Sequence, residues 1–326
     1  MPTFNPPIGE QFILGFDNSR LDLLVDFHSA FGLGGVILFS RNGASALEVE
    51  SVLREIRSRT EKSIIVAIDQ EGGGVVRLAA SDFAAYPSPA HYGKTGDLGG
   101  ARLAAHKTAR NLKKIGVNLN LNPVADVLSS ERNQLMTDRC YSNSVDDVCE
   151  WVQVAVEEQS RAGIASCAKH FPGLGSVEID PHESVSECDE PISVVESTML
   201  PPFSAAISAG CPVIMTTHVR VPALDSSGNS ATGSSAIVED LLRQRMRFEG
   251  IVLTDDLDMG GAGDLLQTAP VALNAGHDML LICHSCERAL ELADSVAKGI
   301  SSGRLSKTRT EKSLERVHVL KESYEI

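Results

Sequence analysis

Eight short, mainly apolar runs recur along the chain: QFILGF (11–16), GGVILFS (34–40), SIIVAID (63–69), VNLNLNP (117–123), IASCAKH (164–170), PVIMTTH (212–218), IVLTDD (251–256) and DMLLIC (278–283). Their length and β-branched content predict buried strands rather than helices. Longer stretches between them, among them residues 45–60, 100–116, 145–163 and 235–250, carry helical spacing. Glycine follows several helical stretches (Gly116, Gly163, Gly210, Gly250), as a helix stop would. Alternating strand and helix implies a parallel sheet. Eight such units fit an α/β fold of the (β/α)8 TIM-barrel type. A doubly wound open sheet is the alternative, but no glycine-rich dinucleotide fingerprint follows the first strand. The Ala/Pro/Gly-rich stretch 81–100 reads as a long loop, and the tail after Gly303 as a last helix packed outside. No repeat or linker divides the chain, so one domain over residues 1–326 is expected.

The predicted strands end in polar residues. The third ends at Asp69, followed by QEGGGVVR; the fourth runs into NLNPVADV with Asn122 and Asp126. The fifth ends in Lys169 and His170, the sixth in His218, the seventh in Asp255 and Asp256. Any one acid there reads equally well as a helix cap. In a barrel, however, all strand ends share one rim, and convergent titratable groups on that rim describe an active site. After the fifth strand, KHFPGLGSVEIDPHESVSE holds a glycine turn and then Asp180 and His182, two residues apart. An Asp beside a His fixes the imidazole tautomer and supports its cationic form; a solvated loop is the alternative.

Charge and composition narrow the setting. The 326 residues carry 43% hydrophobic side chains and a formal charge of −14. An acidic surface disfavours nucleic acid and anionic membranes as partners. No run of about 18 apolar residues occurs, so no transmembrane helix is expected. The start, MPTFNPPIGEQF, lacks the basic-then-apolar order of a signal peptide. Seven cysteines, several inside apolar runs, suit reduced thiols in a cytoplasmic protein. CHSC (283–286) lacks a second CxxC and reads as a buried thiol followed by a helix-start thiol, and Trp151 as a core residue.

KHFPGLG with its following Asp-x-His, DQEGGGVVRL, GGVILFSRN, MTTHVRVPALD, EGIVLTDDLDMGG and LNAGHDMLLIC together resemble the signatures of glycoside hydrolase family 3. The resemblance runs from about Gly9 to the C-terminal helix. It is to the single-domain bacterial β-N-acetylglucosaminidases of cell-wall recycling. It implies a TIM barrel, cytoplasmic location, no metal or other cofactor, and release of N-acetylglucosamine from muropeptide fragments. Position by position it implies Asp255 as nucleophile, His182 as general acid/base with Asp180 as partner, and Asp69, Arg77, Arg139, Lys169 and His170 as sugar-binding residues. His218 is expected at the same rim.

The chain departs from the family pattern at Leu174, where histidine is usual, at Gly74, where arginine is usual, and in DRCYS and DPHESVSE. These departures bear on the leaving-group loop. Another β-glycosidase, a phosphorylase or a non-catalytic sugar-binding protein remain as alternatives. A metal hydrolase built on His170, His182, His218 and Asp255 is a further one, without an HExxH or a His-x-His pair to support it.

Overall fold

In the computed structural model, which describes residues 7–60, 63–78, 83–130, 133–177 and 186–326, the eight runs become eight strands. These are β1 (Phe12–Gly15), β2 (Gly35–Leu38), β3 (Ile65–Ile68), β4 (Leu119–Asn120), β5 (Ala165–Phe171), β6 (Val213–Thr216), β7 (Ile251–Asp256) and β8 (Met279–Ile282). All pair in parallel and in chain order, and β8 returns to β1, so the sheet closes into a barrel. The helices around it are α1 (Leu21–Phe31), α2 (Ala46–Thr60), α3 (Pro89–Thr95), α4 (Leu98–Lys114), α5 (Val145–Arg161), the single turn α6 (Ile192–Val194), α7 (Pro201–Ser208), α8 (Leu265–Ala275), α9 (Cys286–Ser301) and α10 (Lys307–Ser323). The helical stretch expected after β6 is a π-helix, Ala236–Arg245. No described helix is long and apolar enough to cross a membrane.

Local chemistry sets the helix ends. Asp97 accepts from the Gly100 amide and opens α4, and Ser144 accepts from Asp147 to open α5. The stretch 81–100 is therefore not one loop. Pro89 supplies a fixed φ at the first turn of α3, and Gly96, at φ 65°, ends it.

Side chains alternate across each strand, so one parity faces the barrel axis. Ile13, Ile37, Ile65, Ala67, Leu119, Leu121, Ala165, Cys167, Val213, Met215, Ile251, Leu253, Met279 and Leu281 form that interior cluster. The opposite parity packs under the helices in two larger clusters, with residues such as Val36, Val66, Ala168 and Val252. The interior is a packed core rather than a pore.

The C-terminal helix lies elsewhere than expected. Arg316 and Ser313 of α10 bond Asp278, just before β8, and His318 and Lys321 reach Glu10, just before β1. Val317 and Leu320 join the interior cluster. Thus α10 lies across the N-terminal end of the barrel. The buried carboxylates of Asp278 and Glu10 need partners there, and α10 supplies them.

Candidate active site

Continuing the inward parity past the packed layers reaches Phe39 just after β2, Asp69 just after β3, Lys169 on β5, Asp255 on β7 and Cys283 just after β8. All five line one cavity of about 470 Å³ at the C-terminal end of the barrel. Asp256 reaches the same cavity, where the β7–β8 pairing shifts register between Leu253 and Asp256. Asp255 shares its side with Ile251 and Leu253 of the interior cluster. Arg77, Arg139 and His170 line the same cavity. Asp180 and His182 lie outside the described residues.

Five charged groups interlock on the β3–β5 side. Lys169 Nζ sits 2.7 Å from both Asp69 Oδ1 and Glu71 Oε1. Arg77 donates to Asp69 Oδ2 at 3.1 Å, and Arg139 grips Glu71 through Nε and Nη2 at 3.0 and 2.8 Å. Three cations meet two carboxylates, so the cluster is positive by one charge. Burial alone would raise both acids, but the cations outweigh it. Lys169 and Arg77 hold Asp69 well below the carboxylate range, and Lys169 and Arg139 bring Glu71 down to about 2. Burial opposes the Lys169 charge too, and Asp69 and Glu71 overcome it, raising its pKa. The result is a fully charged, mutually hydrogen-bonded surface along one side of the cavity.

His170 is positioned by Asp126. Asp126 Oδ2 accepts from the His170 amide at 3.1 Å and from Nδ1 at 2.8 Å, while Oδ1 accepts from Leu174 N at 2.6 Å. With Nδ1 donating, Nε2 is left to accept from Arg139 Nη2 at 3.3 Å. The β5–β6 pairing shifts register between Ala168 and Phe171, and a bulge of this kind re-aims side chains, so Lys169 and His170 both reach the cavity. The FPGLG turn packs tightly: a Cβ on Gly175 would stand 1.7 Å from Val127 O. Leu174, where histidine is usual, is buried in the cavity wall. At Gly74, where arginine is usual, a Cβ would meet nothing within 4 Å, so the wall is open there. The stems of the His182 loop meet through Ser176 Oγ and Cys188 Sγ, 3.3 Å apart.

The three acids at the end of β7 and just beyond it divide their work. Asp255 Oδ1 accepts from the Asp256 amide at 2.8 Å. Asp256 Oδ1 accepts from the amides of Asp258 and Cys283, and Asp258 Oδ2 from those of His284 and Ser285. Asp256 and Asp258 thus stitch β7 to the turn between β8 and α9. Burial, reinforced by the charges of Asp258 and Asp255, pushes the Asp256 carboxyl up to about 6.

His218 does not join the cavity lining. It is fully buried, with Nδ1 2.8 Å from Thr232 Oγ1 and Nε2 donating to Asp256 O at 2.9 Å. His218 has the parity opposite to Val213 and Met215, the inward residues of β6, so it braces the end of β7 rather than lining the cavity. All seven cysteines are free thiols; Cys283 and Cys286 are both buried, and Trp151 stacks on Tyr141 at 5.7 Å in the core.

Glu71 and Asp126 were not among the site residues expected from sequence. Glu71 lies inside DQEGGGVVR, and Asp126 was visible only as a strand-end acid. Strand parity pairs neither with a cation. Their partners come from β5 and from Arg139, which only the closed barrel brings near.

Residues 26–320 match the family described as glycosyl hydrolase family 3 N terminal domain. A β-hexosaminidase of Chromobacterium violaceum is 34% identical over 266 residues, 79% of this chain and 73% of that protein. One of Idiomarina loihiensis is 32% identical over 82% of this chain and 81% of its own. Among solved structures, a family 3 β-N-acetylglucosaminidase from Paenibacillus sp. str. FPU-7 superposes with a TM-score of 0.95 at 30% identity; it covers all of this chain, which spans 63% of that protein. A β-N-acetylhexosaminidase from Beutenbergia cavernae superposes with a TM-score of 0.85 at 25% identity, covering 99% of this chain and 98% of its own.

Proposed function

The chain belongs to glycosyl hydrolase family 3, and from that premise we propose that it is a retaining β-N-acetylglucosaminidase acting through a covalent glycosyl-Asp255 intermediate. The observation that carries this reading is the place of Asp255: the one acid of IVLTDD on the inward parity, in a cavity whose opposite wall is the charged cluster of Asp69, Glu71, Arg139 and Lys169. Asp69, Arg77, Arg139, Lys169 and His170 hold the hydroxyls and acetamido group of the terminal sugar. The Asp255 carboxylate attacks the anomeric carbon as the glycosidic bond breaks. His182, oriented by Asp180, gives its proton to the leaving oxygen and then, as neutral imidazole, takes one from the water that cleaves the ester. Two displacements retain configuration. The natural substrates are muropeptide fragments ending in N-acetylglucosamine, within peptidoglycan recycling. The free thiols suit the cytoplasm as the site of action.

The test is hydrolysis of 4-nitrophenyl N-acetyl-β-D-glucosaminide without added metal. Asp255→Asn keeps an oxygen for the Asp256 amide, so it should fold normally and lose turnover by at least about 10³-fold, the scale on which losing an essential group costs catalysis. Near-normal activity in that variant would contradict the nucleophile assignment. His182→Ala should be slowed most on poor leaving groups, which need the proton.

A further inference from the structure

Asp256 is a carboxyl of the cavity wall to which this chemistry gives no task. Its Oδ1 accepts from the amides of Asp258 and Cys283, which fixes the group in place. Its Oδ2 stands 3.9 Å from His284 Nε2, too far for a direct hydrogen bond. Around it titrate Asp255 and Asp258 on its own segment, Cys283 and His284 beyond β8, and His218, whose Nε2 donates to the Asp256 carbonyl. Across the cavity stand the groups of the charged cluster. Neither amide requires a charge on its acceptor, since an asparagine oxygen would serve both. Burial and the charges of Asp258 and Asp255 oppose ionisation here, and the carboxyl is pushed up to about 6. An ionised Asp256 therefore costs the folded state something that its two hydrogen bonds do not ask for. Costs of this kind gather at functional sites.

The charge balance of the cavity shows what an anion at this place does. Cleavage of a glycoside passes through an oxocarbenium-like transition state, in which the sugar becomes positive. On the β3–β5 side three cations meet two carboxylates, an excess of one positive charge that disfavours this cation. Asp255 faces it from β7, but the Asp255 charge is consumed as its oxygen bonds the anomeric carbon. Outside the cluster, the other described acids of the lining are Asp138 and Asp256. Asp138 is exposed, so water and salt screen it. The Asp256 side chain is only 13% exposed, and its charge persists through the step. Two adjacent carboxylates also repel each other in the free enzyme, and that repulsion ends when Asp255 becomes a neutral ester. Both effects lower the barrier to glycosylation.

We propose that the Asp256 carboxylate speeds glycosylation of Asp255 through its charge, as a second anion that stabilises the cationic sugar without bonding to it. The proposal rests on the reading of Asp255 as nucleophile.

The experiment measures kcat/KM for 4-nitrophenyl N-acetyl-β-D-glucosaminide from pH 5 to pH 8 in the wild type and in Asp256→Asn. Asn reproduces the neutral carboxyl and keeps the acceptor for both amides. Titrations of other groups act on both proteins and cancel in the ratio. The wild type should exceed the variant about 10-fold at pH 8, the scale of one charge acting across a protein cavity. The two should agree within about 2-fold at pH 5, with the change centred near pH 6. His284→Lys, at a side chain 60% exposed, sets a permanent cation beside Oδ2 and should lower kcat/KM at pH 8 about 3-fold. A wild-type-to-Asn ratio equal at pH 5 and pH 8 would overturn the role of Asp256 alone, because a purely structural loss has no such pH dependence. A His284→Lys variant as active as the wild type at pH 8 would overturn it as well. A wild type that turns over the substrate at no pH would overturn the function on which the proposal rests.

Discussion

Glu71 shows how much a single buried acid can organise. Its side chain has no exposed surface, and it accepts from Arg139 twice and from Lys169 once. Removing it leaves two cations facing each other without their shared anion. Glu71→Ala should therefore cost about 3–5 kcal/mol of stability, and Glu71→Gln less, as judged by urea denaturation; equal stability of Glu71→Ala and wild type would show that the cluster is not bound as described. Asp256 acts in the opposite sense. Its folded pKa of about 6 lies above the ordinary value of 3.8, so the unfolded state gives up its proton first as pH rises. The group's cost is absent below about pH 4 and complete above about pH 6, up to about 3 kcal/mol. Asn keeps an acceptor for both amides. Asp256→Asn should match the wild type near pH 4 and exceed its melting temperature at pH 7–8. A gap that closed toward pH 8 would contradict this. The identity of residues at these positions was legible in the sequence; their partners were not, because each pair joins strand ends far apart in the chain.

At the scale of elements, every strand was legible, because short buried runs bounded by helical periodicity have one economical arrangement. The strand β4 shows where legibility thins. Only Leu119 and Asn120 pair as strand, and asparagine side chains add to the backbone ladder there: Asn118 Oδ1 accepts from the Val66 amide of β3 and Asn120 Oδ1 from the Gln70 amide just after it. The helix α3 was hidden because Pro and Gly signal a loop when counted together, yet Pro89 at the first turn and Gly96 at the end favour a helix between them. The amphipathic pattern of α10 announced a helix but not its berth, which depends on Asp278 and Glu10. Asp258 links two elements by accepting the His284 and Ser285 amides at the entrance to α9. Losing that acceptor should cost about 1 kcal/mol. Asp258→Ala, followed by chemical denaturation, should show this, and a change indistinguishable from zero would mean the turn holds without it.

Over the whole molecule, the titrating groups that the fold constrains make it vulnerable to acid. His277, just before β8, is buried with Nδ1 donating to Ala272 O and Nε2 facing Thr216 Oγ1. Burial pushes its pKa down to about 3. The unfolded state therefore takes up this proton first, and stability falls as pH drops from about 6.5 toward 3. Asp69 and Glu71, held low by their cations, add a second loss below about pH 4. Asp256 regains stability over part of the same interval, so the loss is read as a difference: the melting temperature of the wild type relative to His277→Gln should fall from pH 7 to 5, and a difference that stayed constant would contradict the role of His277. The barrel also explains how one rim can hold charge from β3, β5 and β7 at once: its other end is closed by α10, and its interior is filled by apolar layers. Family membership and the inward parity of Asp255 bear on the same central claim, that this carboxylate becomes glycosylated. A 5-fluoro glycosyl fluoride of N-acetylglucosamine slows turnover of the intermediate and leaves it on the protein for peptide mass spectrometry. The account predicts one added sugar on the peptide spanning Ile251 to Gly261, located at Asp255. A label at Asp256 or on another peptide would contradict it.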